Sequence, residues 1–151
     1  MIGIKIEKDE VTAAMKRVSD TLTGPKRIQL FKTLSAIMFA DVIDHFSREQ
    51  SPDGKWERWK DPKTGNRIGR RPTKRGGSKM LLDTGRLRGS LKPGHDQNEA
   101  NVHTDVEYGP VQNFGSLKKD HPSREFMWLS DKAQDRIVQA VGEEVERAWN
   151  V

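Results

Sequence analysis

Apolar residues recur along this chain with two different periods, and the period changes from one region to the next. Val11, Ala14, Met15, Val18 and Leu22 fall at i, i+3, i+4, i+7 and i+11, the spacing of one helix face. Asp9 is placed to cap that helix and Gly24-Pro25 to end it. Pro25 suits the first turn of a second helix, expected over 25–49, on which Ile28, Phe31, Leu34, Ile37, Met38, Val42 and Phe46 make a broad apolar face. This is the longest hydrophobic element and the expected centre of the core. A last helix is expected after Ser130 as its cap, with Ala133, Ile137, Val141, Val145, Ala148 and Trp149 at three- and four-residue spacing.

The two-residue period of a strand appears twice. Ile2, Ile4 and Ile6 alternate with Gly3, Lys5 and Glu7, and Ala100, Val102, Thr104 and Val106 alternate with Asn101, His103 and Asp105. Residues 84–91 read as a single helical turn leading into a strand, and Pro93-Gly94 with Gln97-Asn98 offers the reversal that pairs it with 100–106. Residues 108–115 read as a tight apolar turn or short helix ending at Gly115. Between 51 and 79, Pro52, Gly54, Pro62, Gly65, Gly69, Pro72, Gly76 and Gly77 forbid a long helix or a central strand, so an extended, mobile loop is expected. The order strand, two helices, long loop, hairpin, helix contains no βαβ alternation and no repeat. The expected class is therefore α+β: one domain over 1–151, with a small antiparallel sheet packed against two or three amphipathic helices and a long basic loop at about 51–79.

Charge sharpens the picture of that loop. Residues 55–92 hold 13 Lys and Arg against 3 Asp and Glu, a net of +10, whereas the whole chain carries +5 and the remainder is therefore −5. A chain sorted in this way presents one basic and one mildly acidic surface, so like copies can meet head to tail or a polyanion can be engaged locally. At 33% hydrophobic and 32% charged residues the chain is polar, but its apolar residues are clustered and a fold is expected. The absence of cysteine excludes disulfides, thiol nucleophiles and cysteine-ligated metal sites. The first residues lack a basic segment followed by a long apolar one, and nowhere do 18 apolar residues run together, so a cytoplasmic, non-membrane product is expected.

Catalytic chemistry finds little support. Asp41 and His45, at i and i+4 with Asp44 between them, could bind a metal or move a proton, but they read more simply as the polar edge of an amphipathic helix. His95 lies in an expected turn, His103 on the exposed alternation of a strand and His121 before a proline, none with a partner evident in sequence. Gly76-Gly77-Ser78-Lys79 lacks the spacing of a phosphate loop and no strand precedes it. No enzyme activity, cofactor, metal or small-molecule substrate is expected.

Four separated segments resemble the phage virion morphogenesis family, the tail-completion proteins of Mu-like phages. They are Pro52-Asp53-Gly54-Lys55-Trp56, Leu81-Leu82-Asp83-Thr84-Gly85-Arg86-Leu87-Arg88-Gly89-Ser90-Leu91, Tyr108-Gly109-Pro110-Val111-Gln112-Asn113-Phe114-Gly115 and Pro122-Ser123-Arg124-Glu125-Phe126. They stand in the family's order and spacing over roughly 35–130. The resemblance implies a structural protein at the head-proximal end of a tail, acting in tail completion or head–tail joining. It further implies a ring of copies, hexameric in first expectation, meeting tail-tube or head–tail connector proteins. Assembly would occur in the host cytoplasm and the product would remain in the virion.

Each segment also has a meaning from its own residues. Pro52-Asp53-Gly54 reverses the chain after the long helix and drops Trp56 and Trp59 back onto it, as structural anchors or with one indole at a subunit interface. Asp83 with Gly85 can cap a short helix, leaving Arg86 and Arg88 outward, either solvated or paired with an acidic neighbour. Tyr108 and Phe114 read as core packing that closes the sheet against the helices, with Phe126 beyond. Arg124 suits a bidentate ion pair or a loose surface position. In the loop, Arg67, Arg70, Arg71, Lys74, Arg75 and Lys79 suit contact with a neighbouring subunit or tail protein. The rival reading is nucleic-acid binding, in which these cations neutralise phosphates and Trp56 and Trp59 stack on bases; in a tail ring the same loop can also face DNA.

Overall fold

The helical faces read from the sequence form where their spacing puts them. The computed structural model describes residues 9–60, 63–65, 67–68, 80–81 and 85–150. Helix α1 runs over Asp9–Thr21, α2 over Gly24–Arg48 and α5 over Asp131–Trp149. Strands β1 (Gln50–Ser51) and β2 (Gly54–Lys55), then β3 (Trp59–Lys60) and β4 (Arg67–Ile68), follow α2. Helix α3 (Arg86–Ser90), β5 (Lys92–His95), β6 (Ala100–His103) and α4 (Gly109–Phe114) lead to α5. The fold is α+β, as expected. Its described strands make three separate two-stranded antiparallel ladders, β1–β2, β3–β4 and β5–β6. Among the described residues no helix is long and apolar enough to cross a membrane.

The chain divides into two compact units. Unit 1 takes residues 1–2, 42–91 and 104–128, and unit 2 takes 3–41, 92–103 and 129–151. In unit 2, α1 packs on α5, and Val11, Ala14, Val18, Ala133, Ile137 and Val141 are buried. Each Val or Ile fully removed from water contributes roughly 1.5–3 kcal/mol, so this aliphatic contact is the main stabilising term of the pair. The start of α5 is fixed by a relay of polar groups. The Ser130 hydroxyl accepts from the Ala133 amide at 3.2 Å and itself donates to Asp41 Oδ1 at 2.6 Å, while Asp41 Oδ2 accepts from the Ser130 amide at 2.7 Å. The expected cap is thus present, and Asp41 orients it.

Several expectations are corrected in detail. Ile28 is exposed and Trp149 is 77% exposed, because each lies near the end of its helix where the buried face runs out. Leu30, not singled out by the spacing, is buried instead. Pro93 and Gly94 do not make the reversal but lie within β5, opposite Val102 and Asn101, and His95 likewise lies in β5 rather than in a turn. The reversal comes at 96–99, where Asp96 Oδ1 accepts from the amides of Asn98 at 2.6 Å and Glu99 at 2.8 Å. An aspartate that gathers the next amides supplies the turn by itself. Strand β6 ends at His103, yet the expected alternation continues beyond it: Val102, Thr104 and Val106 are buried and Asp105 is exposed. The expected loop at 51–79 contains the β1–β2 hairpin and the β3–β4 ladder, since Pro52-Asp53-Gly54 closes a tight reversal. The strand expected at Ile2–Ile6 lies outside the described residues.

Candidate functional site

All four of the segments that resemble the family fall within unit 1, and their described residues show how they are used there. The last turns of α2 place Phe46 in the core of this unit. Trp56 stands edge-on to it at 5.6 Å, with its own indole buried, and Phe126 lies against it at 5.1 Å. The turn at 52–54 therefore drops Trp56 onto the helix as the sequence implied. The Trp56 indole N–H donates to the Glu125 carbonyl at 3.0 Å and the Trp128 indole N–H to the Gln50 carbonyl at 3.3 Å, so the segment 122–128 is laced to the β1–β2 hairpin. His45 stacks flat on Trp128, ring centroids 4.0 Å apart, and its Nδ1–H donates to the Phe126 carbonyl at 3.0 Å.

Arg124 is fully buried, which corrects the expectation of a loose surface arginine. Its Nε donates to the Glu57 carbonyl at 3.0 Å and its backbone N–H to the Gln112 carbonyl at 2.8 Å. Asn113 is the hinge of the arrangement. It is buried, and its side-chain oxygen accepts from the amides of both Phe126, at 2.9 Å, and Met127, at 3.0 Å. An irregular segment inside a protein must find partners for its backbone N–H groups, and here one side chain from α4 serves two of them.

Past α4 the chain makes a narrow clip. The amide of Ser116 donates to the His121 carbonyl at 2.8 Å and that of His121 to the Ser116 carbonyl at 2.9 Å, closing a short helical turn over Leu117–Lys119. Gly115 permits this: its φ is +75°, and a Cβ there would stand 2.7 Å from the His121 carbonyl oxygen and the Ser123 amide. The clip holds Leu117 wholly in water, and Phe114 at the end of α4 is 65% exposed. Tyr108 is also exposed, with the Arg86 guanidinium 5.8 Å from its ring centre, a distance at which the cation is attracted by the aromatic face. Tyr108 and Phe114 are thus not the core residues expected. A groove beside α4 and the clip is lined by Glu57, Phe114, Leu117, Asp120, His121 and Pro122 among others.

The short helix expected after Gly85 is α3, with Gly85 at φ +70° as its N-cap, Leu87 buried and Arg86 exposed, as expected, while Arg88 is half-buried. Ser90 and Thr104 hydroxyls meet at 2.6 Å and hold the end of α3 to the segment after β6. Asp41, Asp44 and His45 each have a different described partner. Asp41 holds the α5 cap, Asp44 pairs with Arg48 at 2.6 Å on the surface, and His45 stacks in the core of unit 1. Nor are His103 and His121 without partners: the first lies 3.0 Å from Asn101 Oδ1 and the second donates to the Pro122 carbonyl at 2.9 Å. Among the described residues no group of three or more His, Asp or Glu is placed to hold a metal ion. Arg70, Arg71, Lys74, Arg75, Lys79 and Asp83 lie outside the described residues, as does the run 76–79; Trp59 and Arg67 are described only as backbone, in β3 and β4.

Sequence reasoning did not single out Asn113, the Asp41 role or the His45–Trp128 stack. Asn113 carries a faint signal, since it and Gln112 place side-chain amides in a short helix between apolar residues, and one that is buried calls for a partner. The other two depend on contacts more than 80 residues apart in the chain.

No curated protein and no solved structure matches the chain. The model of the phage virion morphogenesis family matches residues 6–146 of the 151. With nearly the whole chain inside that match, and with its four motif segments built into one unit, the chain belongs to the phage virion morphogenesis family, whose role is structural, in the assembly of the phage particle.

Proposed function

We propose that the chain completes the head-proximal end of a phage tail and readies it to meet the head, as a structural subunit and not as a catalyst. One observation carries this reading: the motif segments hold a shape that leaves Phe114 and Leu117 in water beside them. Trp56, Asn113 and Arg124 bind backbone groups within their own unit. Residues used in this way, next to bare apolar side chains, suit a protein whose work is to be joined to others. A tail tube has rotational symmetry, and interfaces between unlike surfaces of identical subunits close into rings. A ring of copies, hexameric by family resemblance, seated on tail-tube or head–tail connector proteins is the assembly that follows. The whole chain acts in it as one tail-completion module, joined in the host cytoplasm and retained in the virion.

Deletion of the gene from its parent prophage tests this. After induction, electron microscopy of the lysate should reveal full heads apart from defective or unjoined tails, and normal infectious particles would refute the proposal. The net charge of +10 over 55–92 keeps a second reading in view, nucleic-acid binding. Trp56 weakens it, because a buried indole with its N–H engaged offers no face to a base. Affinity for unrelated duplex DNA that falls steeply with salt would favour that reading, and no affinity at low salt removes it.

A further inference from the structure

The groove beside α4 has a chemistry that suits one part of this same sequence. Of the side chains lining it, those with a formal charge are the carboxylates of Glu57 and Asp120, and the exposed ring of Phe114 lines the same groove. Residues 67–79 contain four arginines and two lysines and no carboxylate. We propose that the groove receives this arginine-rich run from a second copy of the chain. The inference rests on the reading of the protein as a self-assembling subunit and adds where the copies meet.

A guanidinium is planar and weakly hydrated, so it can lie on an aromatic face and fork onto a carboxylate at once. Phe114 supplies the face and Glu57 and Asp120 the carboxylates, while Leu117 and Pro122 receive the aliphatic stems of the cations. A carboxylate has about four acceptor sites, so one that already makes a contact can accept an arginine as well. Acidic lining also disfavours phosphate in this groove, which favours a basic segment as its occupant. Groove and run differ in kind and occur once each per chain, the condition for a head-to-tail contact that closes into a ring.

Because the chain contains no cysteine, an engineered pair reports a single contact. Leu117→Cys and Arg71→Cys, carried on separate copies and co-expressed in cells producing the phage, should give a mixed disulfide dimer on oxidation. Adding Glu57→Gln and Asp120→Asn to the Leu117→Cys copy should lower the yield about tenfold by removing two exposed charge pairs. Asn also suits the left-handed backbone at Asp120, where φ is +45°, so the clip keeps its form. Two results would overturn the inference: no more mixed dimer than Arg71→Cys gives with Ala13→Cys, a pairing with an exposed position on α1, or a double variant that closes its disulfide within one chain and yields no dimer. Unjoined heads and tails in the deletion strain together with no mixed dimer would leave the tail role standing and remove the proposed contact.

Discussion

In unit 2 the buried residues are aliphatic or aromatic with few exceptions, Ser35 and Gln134 among them, and most lie on helices with a regular period. Unit 1 buries His45, Thr104, Asn113 and Arg124 among its aromatic residues, and much of its described chain follows no regular element. The first is held mainly by apolar area, which many side chains of similar volume can supply. The second is held by partners that must be a certain atom in a certain place, and loss of one leaves another unsatisfied. One sequence thus uses two kinds of specification, and the family-like segments belong to the second.

Four substitutions can break or sharpen this contrast. Phe126→Ala should cost about 3–5 kcal/mol, because it empties the space between Phe46 and the segment laced to it. A loss of unfolding free energy in guanidinium chloride of less than half of that would mean that the aromatic cluster is not the core of unit 1. Asn113→Ala should cost about 2–4 kcal/mol by stranding two buried amides at roughly 1–2 kcal/mol each, the lower part of the cost of an unmet buried donor. Hydrogen exchange provides the sharper reading: the amides of Phe126 and Met127 should lose protection while those of α1 and α5 keep theirs. Equal loss in all of them would show one cooperative structure and dissolve the distinction between the units.

Unit 2 should respond more mildly to loss of a polar group. Ser130→Ala removes the cap of α5 and should lower stability by about 1 kcal/mol, seen as a small drop in Tm; a loss as large as that of Asn113→Ala would place unit 2 in the same class as unit 1. Trp149→Ser should change stability by no more than about 0.5 kcal/mol, since the side chain is exposed on the last turn of its helix. A larger loss in dilute solution would reveal that this indole is covered.

The same contrast explains how much of the fold was legible in the sequence. Unit 2 could be read because a helix that buries one face writes a period into its own residues, as Val11, Val18, Ile137 and Val141 do. The period does not say how far a partner extends, which is why Ile28 and Trp149 were misplaced at the ends of their faces. In unit 1 the turn at 52–54, the short helix after Gly85 and the helix ended by Gly115 were legible from proline and glycine. The buried Arg124 and the amide acceptor Asn113 were not, because a charged or polar residue looks alike in sequence whether water or a distant carbonyl is its partner. Tyr108 and Phe114 failed for the opposite reason: aromatic residues are expected inside, and here the chain spends them outside.

The clip between Ser116 and His121 has a thermodynamic meaning of its own. It fixes the backbone around Leu117 before anything covers that side chain, so a partner that arrives does not have to order the loop. The gain on covering one leucine is then roughly 1.5–3 kcal/mol, too little to trap a single misplaced neighbour and enough, if repeated around the proposed ring, to make departure rare. In the proposed ring, such a contact would let a growing assembly test each addition reversibly and become durable only on closure.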